Sequence, residues 1–170
     1  VGNPPFIRYQ RHAGAARARA RAAALAQGVT LSGLASSWAA VLVHACAFLR
    51  PGGRLAMVLP AELLTVGYAE PVRQWLRRRF ARVSLVLVER RQFRDAQEKV
   101  VLLMAEGDGG CDAFALRPVA DARDLEDLSA DGAPAVAPAA AGKWTGMLLP
   151  ARARRLLDRV TAGRFVPLGE

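Results

Sequence analysis

Val83-Ser84-Leu85-Val86-Leu87-Val88 and Val100-Val101-Leu102-Leu103-Met104-Ala105 are two apolar runs with only residues 89–99 between them. Each is rich in aliphatic and β-branched side chains and has the length of an ordinary strand. Parallel neighbours need a crossover of a dozen or more residues, usually a helix, and 89–99 leaves no room for one. The two runs are therefore expected to be antiparallel neighbours. Upstream, Pro71 opens a helix ending near Phe80, with Val72, Trp75 and Leu76 on one side. Before that helix, Leu55-Ala56-Met57-Val58-Leu59 is apolar at every position, which suits a parallel strand covered on both faces.

Pro51-Gly52-Gly53 separates that strand from a helix capped by Ser32 or Ser36. Leu34, Trp38, Val41, Leu42, Ala45 and Leu49 recur at three- and four-residue spacing and read as its buried stripe. An Ala/Arg-rich helix from Ala13 to Gln27, ended by Gly28, precedes it. The order helix, helix, strand, helix, strand, strand predicts the second half of an α/β sheet. Farther on, Phe114-Ala115-Leu116 reads as a strand and 121–128 as a short acidic helix. Ala133 to Gly142 reads as an Ala/Pro-rich linker, and Leu149 to Val160 as a helix of the next segment.

The chain has 170 residues, 52% of them hydrophobic, enough to bury a core and to exclude wholesale disorder. Cys46 and Cys111 stand far apart without partners, which excludes a disulfide framework and a cysteine-based zinc module and fits a reducing compartment. His12 and His44 are isolated, no histidine–carboxylate cluster has metal spacing, and no metal is expected. No window approaches a membrane span and no leader opens the chain. The first residues, Val1-Gly2-Asn3-Pro4-Pro5, lack an initiator Met and read as an internal piece of a larger protein.

Charge is distributed unevenly. The net charge is +9, from 24 basic and 15 acidic side chains, with the basic excess in residues 1–105 and the acidic excess in 106–131. A basic block suggests a polyanionic partner, since each neutralised phosphate releases a counterion. It is equally a solvated arginine-rich surface from coding bias. Arg77-Arg78-Arg79 has the same two readings, a track for a DNA backbone or a solvated face.

Asn3-Pro4-Pro5-Phe6 is the chemically informative tetrapeptide. Two successive prolines remove two amide donors and exclude helix interior and central strand. The segment is either a rigid turn or a loop whose free carbonyls face a ligand. In the second reading the Asn3 oxygen and the Pro4 carbonyl accept both N–H groups of a planar amine, while Phe6 stacks on its ring. Such an amine is a poor nucleophile because its lone pair is spread into the ring. Two acceptors favour a tetrahedral nitrogen and aim the lone pair at an electrophile.

Val1-Gly2-Asn3-Pro4-Pro5-Phe6 resembles the catalytic motif of amino-group methyltransferases that use S-adenosylmethionine. The resemblance narrows through Leu49-Arg50-Pro51-Gly52-Gly53-Arg54-Leu55-Ala56-Met57-Val58-Leu59-Pro60, Ala61-Glu62-Leu63-Leu64 and Tyr68-Ala69-Glu70-Pro71-Val72-Arg73. Arg91-Gln92-Phe93 before Glu98-Lys99-Val100-Val101-Leu102-Leu103 completes it. This pattern, over residues 1–106, is similar to the gamma-type adenine-N6 DNA methyltransferases, including fused restriction–modification enzymes. The resemblance implies the C-terminal half of a Rossmann-like class I methyltransferase sheet with an antiparallel final pair. It implies that Asn3 and Pro4 hold the target amine and that Phe6 stacks on a flipped adenine, with Pro5 and Arg8 also at the substrate. Phe93 implies a second stacking ring, although a lone Phe before a strand is also an ordinary core residue. The implied partner is double-stranded DNA, the implied setting a prokaryotic cytoplasm, and the implied organisation a catalytic half at 1–106. An extension and linker at 107–142 and the start of a DNA target-recognition region at 143–170 follow.

The chain departs from the family in one large respect. The glycine-rich cofactor loop and the acidic residue for the ribose belong to strands before the catalytic motif, and neither is in this sequence. The cofactor-contacting residues are thus expected in a missing N-terminal half of the same polypeptide. The fragment alone is expected to be inactive, with an open sheet edge. Asn-Pro-Pro-Phe also occurs in ribosomal RNA guanine-N2 methyltransferases, and its Tyr form in protein glutamine methyltransferases. A non-catalytic DNA-binding module is a further alternative. Leu59-Pro60-Ala61-Glu62-Leu63-Leu64 and the continuation past Ala105 favour the DNA-adenine reading.

Overall fold

The computed structural model describes residues 1–88, 99–126, 134–138 and 142–161. In chain order the elements are helices α1 (Gly14–Ala26) and α2 (Ser37–Ala45), strand β1 (Arg54–Pro60), and helices α3 (Glu62–Thr65) and α4 (Glu70–Arg79). Strands β2 (Arg82–Val88), β3 (Val100–Glu106), β4 (Phe114–Val119) and β5 (Ala135–Val136) follow, then helix α5 (Ala151–Thr161). The strands make one mixed sheet in the order β1-β3-β2-β4-β5.

β3 runs antiparallel between β1 and β2, in register from Arg54↔Glu106 to Pro60↔Val100 on one side and from Arg82↔Glu106 to Leu87↔Val101 on the other. The antiparallel pair expected from spacing is thus present, and β1 and β2 point the same way on either side of it. β4 joins β2 in parallel and β5 closes the far edge antiparallel to β4. The chain is a mixed α/β protein.

One core joins Leu55, Met57 and Leu59 of β1 with Val101 and Leu103 of β3, Trp38 and Leu42 of α2, and Val72 and Leu76 of α4. A smaller cluster of Val86, Val88 and Val119 lies apart from it. β1 is not covered on both faces as its composition suggested. Leu55, Met57 and Leu59 are buried while Ala56 and Val58 are only half-buried, and its ladder partner β3 is antiparallel. α2 is shorter than expected: it begins at Ser37, Leu34 lies before it, and both Leu34 and Val41 are exposed. Ser36 is its N-cap residue without donating or accepting a side-chain cap bond.

The stretch read as a linker contributes β5, whose Val136 is buried in the main core. Trp144 and Met147 join the same core, and Trp144 packs edge-on against Phe114 with ring centroids 4.7 Å apart. The acidic segment forms a single 3₁₀ turn, Ala122–Leu125, with a capping box between Asp121 and Asp124. Residues 127 and 128 lie outside the described residues.

The loop before β1 is tight. A Cβ built on Gly53 would lie 2.7 Å from the Arg50 carbonyl oxygen, a backbone atom, whereas one on Gly67 would meet open space. Gly53→Ala is expected to cost about 1–3 kcal/mol, the range for forcing a methyl into filled space. Gly67→Ala is expected to stay within about 0.5 kcal/mol. Urea midpoints of the two variants check the contrast, and equal midpoints would contradict it.

Candidate active site

Gly2 lies beside β1 as a parallel partner. Its N–H donates to the Ala56 carbonyl at 2.9 Å, and its own carbonyl accepts from the Val58 N–H at 3.0 Å. A Cβ on Gly2 would come within 3.2 Å of Met57 Cε, a tight contact with the end of a flexible side chain. The motif then leaves the strand in the direction in which β1 ends. Asn3 is exposed, Pro4 buried, Pro5 exposed and Phe6 half-buried, its ring packed partly against the core.

Ser37, the first residue of α2, holds the other end of the loop. Its hydroxyl donates to the Pro5 carbonyl and accepts from the Ile7 N–H at 2.9 Å, while its own N–H donates to the Ile7 carbonyl at 3.0 Å. Among the described residues, no group bonds the Asn3 side chain or the Pro4 carbonyl. The loop is therefore anchored at both ends and leaves two acceptors at its middle uncommitted.

Behind this anchor lies a short polar chain. The Trp38 indole N–H donates to the Tyr68 hydroxyl at 3.0 Å, and that hydroxyl donates to Glu62 Oε2 at 2.6 Å. Glu62 stands two residues beyond the end of β1. Burial, joined by the bond to Glu62, pushes the Tyr68 hydroxyl up to about 12. The protonated phenol therefore favours the folded state: its contribution is full below the ordinary value of 10.0 and is lost as pH rises to about 12. Cys46, pushed up to about 12 by burial, adds a loss of the same sign. Tyr68→Phe is expected to make the decline of the urea midpoint between pH 10 and 12 shallower, leaving the share of Cys46. An unchanged slope would contradict this assignment.

Arg73 fixes the segment that carries Glu62 and Tyr68. It is wholly buried, and its guanidinium donates to the Leu63 and Val66 carbonyls, each at 2.9 Å, and to Glu70 Oε2 at 2.9 and 3.3 Å. Burial pushes the Glu70 carboxyl up, but bonds from Gln74, Arg73 and the Gly142 backbone outweigh it and hold it below the usual range.

The sequence-predicted site residues divide as follows. Asn3, Pro4, Pro5 and Phe6 share the anchored loop. Arg8 is exposed on the turn that follows, where its carbonyl accepts from the Arg11 and His12 N–H groups at 2.9 and 3.2 Å. Phe93 lies outside the described residues. Its flanking strand ends are described: the β2–β3 connection leaves Val88 and returns at Lys99, whose carbonyl accepts from the Ala61 N–H at 2.8 Å. Both flanking strand ends thus lie at the sheet end where β1 finishes.

Ser37, Tyr68 and Glu62 had no assigned role in the sequence. Only the short distance from Leu59-Pro60 to Glu62 and Tyr68 hinted at one. Arg77 and Arg79 belong to the opposite end of the sheet, where they pair with Asp112 and Asp108. There Glu106 also bonds Arg54 at 2.9 Å and Arg82 at 2.6 Å. Seven-residue strands separate the two ends by about 20 Å. The Arg77–Arg79 run therefore does not line the motif, and part of the basic excess is neutralised by the acidic segment. Among the described residues, no group of three or more His, Cys, Asp or Glu could hold a metal ion. No helix among them is long and apolar enough to cross a membrane.

No protein-family model matches this chain, and no curated protein matches its sequence. Solved structures do match its fold. A nuclease-deletion mutant of the Type ISP restriction-modification enzyme LlaGI, in complex with a DNA substrate mimic, aligns over 85% of this chain with a TM-score of 0.63 and 14% identity. The DrdV–DNA complex aligns over 80% at TM-score 0.58 and 16% identity. The ATP-dependent Type ISP restriction-modification enzyme LlaBIII bound to DNA aligns over 69% at 0.54 and 11%. At these identities the likeness is one of fold. The aligned part spans 15%, 16% and 10% of those chains, respectively.

Proposed function

We propose that residues 1–106 are the amine-binding half of a site-specific DNA methyltransferase. The reaction is transfer of a methyl group from S-adenosylmethionine to the N6 amine of a flipped adenine, within a restriction–modification system. The observation that carries this reading is the Asn3–Phe6 loop, held by Gly2 on β1 and by Ser37 on α2 while the Asn3 amide and the Pro4 carbonyl have no partner among the described residues. The antiparallel β2–β3 pair agrees with the final pair implied by the resemblance to class I methyltransferases. The three fold neighbours, all solved with DNA or a DNA mimic and two of them named restriction-modification enzymes, support the setting.

Each residue has one task in this scheme. Asn3 Oδ1 and the Pro4 carbonyl accept hydrogen bonds from the two amine N–H groups, which draws the nitrogen lone pair out of the ring and directs it away from the loop. Once the nitrogen has gained the methyl carbon, one of its protons passes to solvent. The exposed part of Phe6 stacks on the base and offsets some of the cost of removing it from the duplex. Phe93, on the β2–β3 connection, is assigned the opposite face of the base, and Arg8 a neighbouring phosphate. Pro5 spends its carbonyl on Ser37 and so stiffens the loop.

S-adenosylmethionine supplies an electrophilic methyl carbon when bound. The residues here fit the acceptor amine and do not fit the donor: β1 passes through Pro60-Ala61 directly into α3, with no glycine-rich turn at its end. The donor site is assigned to strands preceding Gly2 in a longer polypeptide. Residues 107–142 are assigned to an extension and residues 143–170 to the start of a DNA target-recognition region, with Trp144 packed on the catalytic half.

Sheet continuation through β4 and β5 favours DNA adenine over ribosomal RNA guanine, whose enzymes are expected to end soon after the last central strand. Native DNA from cells expressing the full parent gene, read directly for modified adenine beside an Asn3→Ala control, tests the proposal. Methylated adenine in a fixed short sequence, absent from the control, is expected. Unmodified DNA from a soluble, cofactor-binding parent would overturn the reading in favour of RNA or protein amides.

A further inference from the structure

We propose that Tyr68, bridging Trp38 and Glu62, is a positioning residue for the amine-binding loop. The inference rests on the methyl-transfer reading above and extends it to residues that do not touch the base. The loop has two attachments to the end of β1. One is direct, through Gly2 and the backbone of Ala56 and Val58. The other runs from Pro5 and Ile7 to Ser37, along one peptide to Trp38, through its indole N–H to the Tyr68 hydroxyl, and on to Glu62 just past Pro60. Asn3 and Pro4 sit between these two attachments, so their placement depends on both.

An indole N–H can only donate, so the Tyr68 oxygen accepts from Trp38, and its own proton goes to the Glu62 carboxylate at 2.6 Å. The Ser36 hydroxyl, next to Ser37, is a further partner of the Tyr68 hydroxyl. Trp38 is fully buried and packs against the Tyr68 ring with centroids 6.1 Å apart, leaving the first turn of α2 little freedom while the bridge stands. Arg73 holds Leu63 and Val66 from the other side, so the Glu62–Tyr68 segment is itself fixed. Removing one hydroxyl therefore frees the α2 end of the route, and the acceptor pair at Asn3 and Pro4 loses its aim before the fold loses its core.

The full parent polypeptide, assayed on a duplex containing the site identified in native DNA, tests this. Tyr68→Phe and Ser37→Ala are each expected to lower kcat by about 10- to 100-fold, the scale for a small displacement of reacting groups, with KM for DNA within about 2-fold. Fluorescence of 2-aminopurine at the target adenine is expected to rise on binding as in the unaltered protein, because flipping precedes placement of the amine. The double variant is expected to fall no further than Ser37→Ala alone, since both changes cut one route.

Should Tyr68→Phe fail to fold, Glu62→Ala removes the acceptor at the far end and carries the same expectation. Losses that multiply in the double variant, or that appear in KM alone, would overturn the inference. Methylation abolished by Asn3→Ala but untouched by Tyr68→Phe and Ser37→Ala would overturn it while leaving the proposed function standing. Absence of methylation by the unaltered parent would overturn both.

Discussion

Arg73→Met is expected to lower the unfolding free energy by about 1–3 kcal/mol, the range for leaving a buried acceptor without its donor. The reason lies in what the guanidinium touches. Four short contacts tie it to the Leu63 and Val66 carbonyls and to Glu70, and no part of its side chain reaches water. Methionine fills a similar volume, so the loss is one of polar bonds and not of packing. Glu70 keeps bonds from Gln74 and from the Gly142 backbone and is partly exposed, so it is not stranded. The Val66 carbonyl also accepts from the Ala69 N–H at 3.4 Å, so the Leu63 carbonyl carries most of the cost.

Arg73→Lys is expected to lose roughly half as much, because an ammonium retains the charge but lacks the planar fork that reaches all three acceptors. Urea unfolding at an unchanged m-value is the measurement, and a loss under about 1 kcal/mol for Arg73→Met would contradict the assignment. For a domain with typical stability of about 5–15 kcal/mol, one arginine would hold a large share of the margin.

That arginine was not legible in the sequence. Arg73 stands in a helix with Arg77, Arg78 and Arg79, in a chain where arginine supplies nearly all the positive charge, and composition treats the four alike. Only the fold turns Arg73 inward beneath the 63–66 carbonyls and leaves Arg78 in water. The β2–β3 pair was legible because chain length alone forbids a crossover between the runs. The α2 stripe was misread because three- and four-residue spacing counts apolar positions without knowing where the helix begins. Starting at Ser37, it leaves Leu34 outside and rotates Val41 to the surface. β5 was hidden in an Ala/Pro-rich stretch because two paired residues leave no periodicity to detect.

The site shows the same division. Asn3-Pro4-Pro5-Phe6 announced itself because consecutive prolines exclude the regular alternatives. Ser37 did not, since a serine before a helix reads first as a cap; here Ser36 occupies that place and Ser37 turns to the loop. Tyr68 and Glu62 meet only through the path the chain takes beyond β1, which no local pattern encodes. Local signals identify a loop that must be special, and long-range contacts decide what holds it.

Asn3→Ala carries the largest expected effect on activity. In the full parent polypeptide it is expected to lower kcat by about 10²- to 10³-fold, the loss measured when one preorganised polar group facing developing charge is removed. KM for DNA should stay within about 3-fold, so that kcat and kcat/KM fall together, as for an interaction made mainly in the transition state. The structure gives this expectation its form. Asn3 is exposed and bonds no group among the described residues, so truncating it leaves no buried partner unsatisfied and should leave the unfolding free energy, read by urea unfolding, within about 0.5 kcal/mol. A change silent in stability and severe in turnover separates a substrate contact from a structural one. Pro4→Ala offers the complementary case, since it keeps the accepting carbonyl while removing the rigid ring and restoring a backbone N–H. A loss of about 10-fold or less is expected there, because alignment suffers while the acceptor remains. If Pro4→Ala were as damaging as Asn3→Ala, loop rigidity and not the Asn3 oxygen would be the dominant contribution. If neither variant lost activity, the free acceptors at the centre of the anchored loop would not be where the amine binds.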